Sequence, residues 1–354
     1  MNASLALPSR LQRTPMPAAA IPPAAASDAT HDAAATTAAP VAVQIDTLDA
    51  PQVWKEGFTG KGIGIAILDT GAGPHPDFRS RLVAFKDFVH AGSTPPDDAD
   101  PAHAYDDEGH GTAVATVAAG DGTAGQAIGS APGANVISLK AVGSDGMAWA
   151  ANVVKAIDWA VENKARYNIR VLNMSFFLDD PNVAAHQPVL QALERAADAG
   201  IIPVAAASND GPRPRSLHTI ASYPHVVTVA AFDARGTRKR DDDRIASFSS
   251  RGPGDHGELK PDVATPGANV VVGTVRGGYT RSNGTSFASP IAAGVIATWL
   301  EANPSLNVTQ VQQIVAETSH PLSSYDHFAQ GYGEMDALAG LHKAISMREP
   351  QPTA

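Results

Sequence analysis

Three short stretches carry side chains that can do covalent chemistry together: Asp69-Thr70-Gly71, Gly109-His110-Gly111-Thr112 and Asn283-Gly284-Thr285-Ser286-Phe287-Ala288-Ser289-Pro290. A serine hydroxyl is a weak nucleophile at neutral pH. It attacks a carbonyl when a neutral imidazole takes its proton and a carboxylate holds that imidazole in the right tautomer. Ser286, His110 and Asp69 are candidates for those three roles, and a serine at a helix start also has a free backbone N–H and the positive end of the helix dipole beside it. A further oxyanion donor is required. The stretch Ala205-Ala206-Ala207-Ser208-Asn209-Asp210-Gly211 offers Asn209 directly after an apolar run. Taken singly, these residues have plainer readings: Ser286 or Thr285 can simply cap a helix, and an asparagine after a strand is usually a turn residue.

Such groups act together only if the chain holds them at one place. Residues 63–68 form a nearly continuous apolar run of strand length, as in a parallel strand covered on both faces, and the run ends in Asp69. The C-terminal ends of parallel strands are where open α/β sheets place their active sites. His110 opens a small-residue helix over residues 113–119, and Ser286 precedes an apolar helix over 291–300. Further strand-length runs fall at 136–142, 171–174, 201–207, 226–231 and 270–274, with amphipathic helical patterns at 149–163 and 189–199. This alternation predicts an α/β fold with a mainly parallel central sheet and helices on both faces. Residues 44–58 read as a short helical lead-in, the stretch up to Glu108 as an acidic, proline-rich loop, and 309–317 and 335–347 as two surface helices separated by a Gly331-Tyr332-Gly333 turn.

Other chemistries fit less well. Asp69-Thr70-Gly71 resembles an aspartic-protease motif, but that chemistry needs two facing carboxylates and no second such motif occurs. Asp106, Asp107, Glu108 and His110 lack the helical His-x-x-x-His pairing of a metal site, and consecutive loop carboxylates point in different directions. The serine stretch half-matches a Gly-x-Ser-x-Gly elbow, but Ala288 stands at the last glycine.

The order Asp69, His110, Ser286, together with His75-Pro76-Asp77 after the first motif, resembles the subtilisin-like serine peptidases, the subtilases, over residues 43–343. The resemblance implies a subtilisin-like three-layer fold and a serine endopeptidase whose triad is Asp69, His110 and Ser286. It also implies that the Asn209 side-chain amide donates to the oxyanion, and that the substrate is a peptide or protein. Subtilases bind an extended peptide between two backbone segments. By resemblance the substrate contacts here are Gly143, Asp145, Gly146 and Met147 on one segment, Ser175, Phe176 and Phe177 on the other, and Ala206 and Ala207 beside Asn209. The family's Ser-Leu-Gly-Gly is replaced by Ser175-Phe176-Phe177-Leu178, so Phe177 narrows the pocket for the residue before the scissile bond, with Met147 and Trp149 adding bulk opposite. That predicts a selective processing peptidase.

Smaller departures are Ala113 and Ile291 where histidines are common, and Ser208 where glycine is usual. No cofactor is required for the chemistry. The family's calcium loop corresponds to residues 120–126, poor in oxygen ligands, although Asp77 suits a structural calcium, and no catalytic metal is expected.

Composition narrows the partners. The 354 residues carry a formal net charge of −10, with 44% hydrophobic and 18% charged residues, which disfavours nucleic acid or an anionic membrane surface as partner. There is no cysteine, so disulfides and thiolate metal sites are excluded. Residues 1–42 are an Ala/Pro/Thr-rich tail or short propeptide, expected to be disordered; 43–347 form the catalytic domain and 348–354 a C-terminal tail. No prodomain of the usual length is expected ahead of the domain. Lacking a signal peptide or spanning segment, the chain reads as cytoplasmic, the alternative being secretion by a route not visible in the sequence. Nothing in the sequence sets an oligomeric state.

Overall fold

The computed structural model describes residues 43–90, 99–125, 129–178 and 183–348. The 1–42 tail and all but Arg348 of the 348–354 tail lie outside them. Five parallel strands form the centre of the molecule. They are β1 (Gly64–Asp69), β3 (Asn135–Lys140), β4 (Ile169–Met174), β5 (Ile202–Ala206) and β6 (Val227–Asp233). With β2 (Leu82–Asp87), β7 (Arg244–Ile245) and β8 (Val263–Pro266) they make an eight-stranded sheet ordered β2-β3-β1-β4-β5-β6-β7, β8 also pairing with β6. Within this sheet, among the described residues, only the β6–β7 pair is antiparallel.

Alternation along each strand divides the core in two. Ile65 and Ile67 of β1 face one apolar layer and Ala66 and Leu68 the other. The first layer is closed by helices His110–Ala119 and Thr285–Ala302, the second by Ala150–Glu162 and Gln187–Asp198. Helices thus cover both faces, as the apolar strand runs require. The Thr285–Ala302 helix is apolar all round because it is buried all round: Trp299, Ile296, Ile291 and Leu300 are at or near zero exposure.

The structure differs from the sequence expectations in five places. The run at 270–274 is not in the parallel sheet: β9 (Val270–Gly273) pairs antiparallel with β10 (Tyr279–Ser282) in a separate hairpin. β2 lies within the stretch read as loop, and β8 follows Pro261 closely and ends on Pro266. The serine helix begins at Thr285 rather than Ile291 and runs through Pro290. The C-terminal helices Val308–Thr318 and Ala337–Ser346 are only half at the surface, burying Val311, Ile314, Leu341 and Ala344. Among the described residues no helix is long and apolar enough to cross a membrane.

Candidate active site

β1 ends in Asp69, which is 1% exposed. Its Oδ1 accepts the Thr70 N–H at 2.8 Å and faces His110 Nδ1 at 2.8 Å. A carboxylate can only accept, so Nδ1 carries the proton and Nε2 is the basic end of the ring. His110 is the first residue of its helix, and Gly111 lets that helix come this close: a Cβ there would lie 1.9 Å from the Gly71 carbonyl oxygen and 3.1 Å from Asp69 Cβ. Burial alone lowers the imidazole pKa. The charge and hydrogen bond of Asp69, helped by Glu108 and Asp106, outweigh it and raise the pKa to about 9.

Ser286 stands in the first turn of the Thr285–Ala302 helix, whose N-cap is Gly284 with no side-chain cap, so neither Thr285 nor Ser286 plays the capping part. The Thr285 N–H and hydroxyl both donate to Asn209 Oδ1 at 2.9 Å. An N–H partner fixes which amide atom is oxygen, and Asn209 Nδ2 is left as a donor. A point one Cβ bond from Gly284 lies 3.6 Å from Ser286 N and 3.7 Å from Asn209 Nδ2. Both donors therefore border the same small volume.

Pro290 has no N–H, so the Ser286 carbonyl four residues earlier loses its helical partner. The Ser175 hydroxyl replaces it at 2.9 Å, and Asn173, Ser175 and Ser289 bond one another at 3.0 Å beneath. In return the Ser286 hydroxyl donates to the Ser175 carbonyl at 3.0 Å.

Asp69, His110, Ser286 and Asn209 line one pocket of about 210 Å³, with Gly146, Ser175, Phe176, Phe177 and Ala206 on its walls. Phe177 is 47% exposed and meets the His218 ring edge-on, centroids 4.7 Å apart. The remaining expected contacts are placed differently. The 143–149 segment folds on itself, Gly143 N–H donating to the Met147 carbonyl at 3.1 Å and Met147 N–H to Asp145 Oδ1 at 3.0 Å. Gly143, Asp145 and Met147 are not among the pocket walls, Trp149 turns outward at 59% exposure, and Ala207 is wholly buried.

The subtilase family model matches residues 60–333, spanning all of this geometry. The chain belongs to the subtilase family. It is a serine endopeptidase by that membership and by its relatives. It is 33% identical over 301 residues to serine protease AprX of Bacillus subtilis, covering 79% of this chain and 66% of that protein, just under two thirds of its length. Subtilisin BL of Lederbergia lenta is 32% identical over 294 residues, with 83% of this chain and 96% of that protein covered. Among solved structures, S41 psychrophilic protease superposes with a TM-score of 0.68 at 32% identity, over 78% of this chain and 92% of its own.

Several residues that hold the subtilase's pocket together escape a motif search. Asp106 Oδ1 accepts from the Thr70 hydroxyl and Gly109 N–H, each at 2.8 Å, and Oδ2 from the Thr112 N–H and hydroxyl at 2.8 and 2.6 Å. Burial alone raises the Asp106 pKa, but these donors prevail and hold it below the usual carboxylate value. Glu108 accepts the His110 N–H at 2.8 Å and lines the pocket. Lys140, fully buried at the end of β3, binds Asp107 at 2.6 Å and the Thr70 carbonyl at 2.7 Å. The Asp106–Thr70 and Lys140 contacts span 33–70 residues, which no local spacing announces, while Glu108 bonds the nearby His110 N–H.

The fold family also implies calcium beside Asp77, and the described residues do not fit it. Asp77 is buried, Oδ1 accepting the Ala124 N–H at 2.7 Å and Oδ2 the Tyr279 hydroxyl at 2.6 Å. Its carbonyl accepts Arg81 Nη2 at 2.5 Å, and that guanidinium also pairs with Asp121 at 3.2 Å. A metal would have to displace N–H and O–H donors and stand beside a fixed cation. Gln126 lies outside the described residues.

Proposed function

We propose that this subtilase cleaves peptide bonds through an acyl-enzyme on Ser286, with Asp69, His110 and Asn209 completing the machinery, and that it is a selective processing peptidase. The carrying observation is the 2.8 Å contact of His110 Nδ1 with Asp69 in the pocket that Ser286 enters. Because the Ser286 hydroxyl rests on the Ser175 carbonyl, it turns about its Cα–Cβ bond to reach His110 Nε2. That nitrogen takes the proton as Oγ bonds to the scissile carbonyl carbon, whose π electrons move onto oxygen. Ser286 N–H and Asn209 Nδ2–H donate to that oxyanion. On collapse the C–N bond breaks, the amine leaves with the proton from His110, and water repeats the sequence to free the acid and restore Ser286. An active-site serine phosphonate should add once per folded chain, and Ser286→Ala should abolish the adduct. A folded chain that takes no adduct would sink this mechanism.

Selectivity rests on Phe177. Its half-exposed ring on the pocket wall narrows the space for the residue before the scissile bond. A diverse peptide library should be cut at a restricted set of sites, and Phe177→Gly should broaden that set. Equal cleavage after large, small and charged residues by the unaltered enzyme would overturn the processing assignment.

A further inference from the structure

Beyond the Phe177 wall lies a second cavity, of about 320 Å³, walled by a single turn of chain that includes Asp210, Arg213, Arg215, Ser216 and His218. It adjoins the catalytic pocket at two points. Asp210 follows Asn209 directly, and the His218 ring touches Phe177.

The turn is held firmly. Arg215 and Ser216 N–H donate to the carbonyls of Gly252 and Arg251 at 3.0 Å, Asp210 N–H to Ser250 Oγ at 3.0 Å, and the Ser216 hydroxyl to the Arg213 carbonyl at 2.6 Å. Two prolines, Pro212 and Pro214, fix the backbone on either side of Arg213. Arg215 is held at φ 55°, a left-handed conformation that is unfavourable for an arginine.

Charge points the same way. Asp210, the cavity's one carboxylate, is engaged by His218 Nε2 at 2.6 Å. Arg213 Nε makes only a long 3.4 Å contact to the Asp210 carbonyl, and both arginines are exposed. Two arginines among the lining of one cavity, on a chain of net charge −10, give a local field opposite to that of the whole molecule. Guanidinium forks match carboxylates in shape and charge.

We propose that this cavity is a second specificity site, in which Arg213 and Arg215 take a carboxylate of the peptide substrate: an aspartate or glutamate side chain on the acyl side of the scissile bond, the side that the Phe177 segment serves. The inference rests on the peptidase reading of the pocket, and its test separates the two. Peptides identical except for Asp against Asn, or Glu against Gln, at each acyl-side position are titrated onto the Ser286→Ala protein by fluorescence anisotropy, so that binding is read without turnover. At one position the acidic peptide should bind about 5–30-fold more tightly than its amide, the range for a partly exposed charge-assisted pair. The preference should fall to near unity in Arg213→Gln/Arg215→Gln and reverse toward lysine in Arg215→Glu. A peptide amidated at its C-terminus distinguishes the sources of the carboxylate: loss of affinity on amidation alone would replace the side-chain assignment with a terminal-carboxylate one. Equal affinity of acid and amide peptides at every position, or an acidic preference unchanged in the double variant, overturns the proposal. Failure of phosphonate labelling would instead indict the Ser286 mechanism and leave the anisotropy result standing.

Discussion

His110 can take a proton from Ser286 only while neutral, and a pKa raised to about 9 by Asp69 leaves it mostly protonated at neutral pH. Since the protonated ring is the inactive form, kcat/KM should climb as pH rises through about 9. Glu108 adds to the field that holds the proton, so Glu108→Gln should shift the midpoint to lower pH; pH–rate profiles of the two proteins give both numbers. Asn209→Ala should lower kcat by about 10²–10³ with a small change in KM, the magnitude known for the matching donor in a subtilisin, and steady-state kinetics on one peptide decides it. That Asp69, His110, Ser286 and Asn209 meet in one pocket was legible in the sequence, because covalent chemistry demands scarce residue types beside glycines and strand ends. Thr70, Asp106, Glu108 and His218 were not. The contacts of Thr70 with Asp106 and of His218 with Phe177 exist only once distant segments meet, and the Glu108 bond to the His110 N–H forms only in the folded turn.

At the scale of elements, the two helices that carry His110 and Ser286 are fastened at their first turns, one by the half-buried carboxylate of Asp106 and the other by the buried hydroxyl of Ser175. The His110 helix depends on Asp106, whose folded pKa is depressed, so its contribution is full above the unfolded value near 3.8 and is lost as pH falls through the folded one. Asp106→Asn should therefore destabilise the enzyme at neutral pH by roughly 1–3 kcal/mol, and much less in strong acid, as urea titrations across pH would reveal. For the Ser286 helix the fastening is Ser175. Removing its hydroxyl leaves the Ser286 carbonyl without a partner opposite Pro290, so Ser175→Ala should cost a similar amount in urea and lower kcat as the nucleophile loosens. The central parallel strands and their helices were readable because they are long and periodic. β2 has mixed polarity, β8 is four residues that end on a proline, and β9 has the apolar run of a sheet strand but pairs with a polar partner, so their placement is set by tertiary contacts.

For the molecule as a whole, the consequence lies at the junction of β9–β10, the His110 helix and the loop that follows it. Tyr279 from β10, Asp77 from the loop after β1, and Ala124 beyond the helix meet there, with Arg81 reaching across to Asp121 and to the Ala134 carbonyl at 2.6 Å. These contacts join segments up to 202 residues apart, so they contribute to global rather than local stability. A bound metal in their place would make Tm depend on free calcium, because a ligand that binds only the folded state stabilises it by mass action. A guanidinium and a phenol belong to the chain and cannot be removed by chelation. Thermal melts with and without EDTA should accordingly coincide, and added calcium should leave Tm where it is. Arg81→Met, which strips donors from the Asp77 and Ala134 carbonyls, should lower Tm by about 2–8 °C in both conditions. A drop in Tm on chelating the unaltered protein would show that a cation shares this junction, and would return Asp77 to the role of a metal ligand.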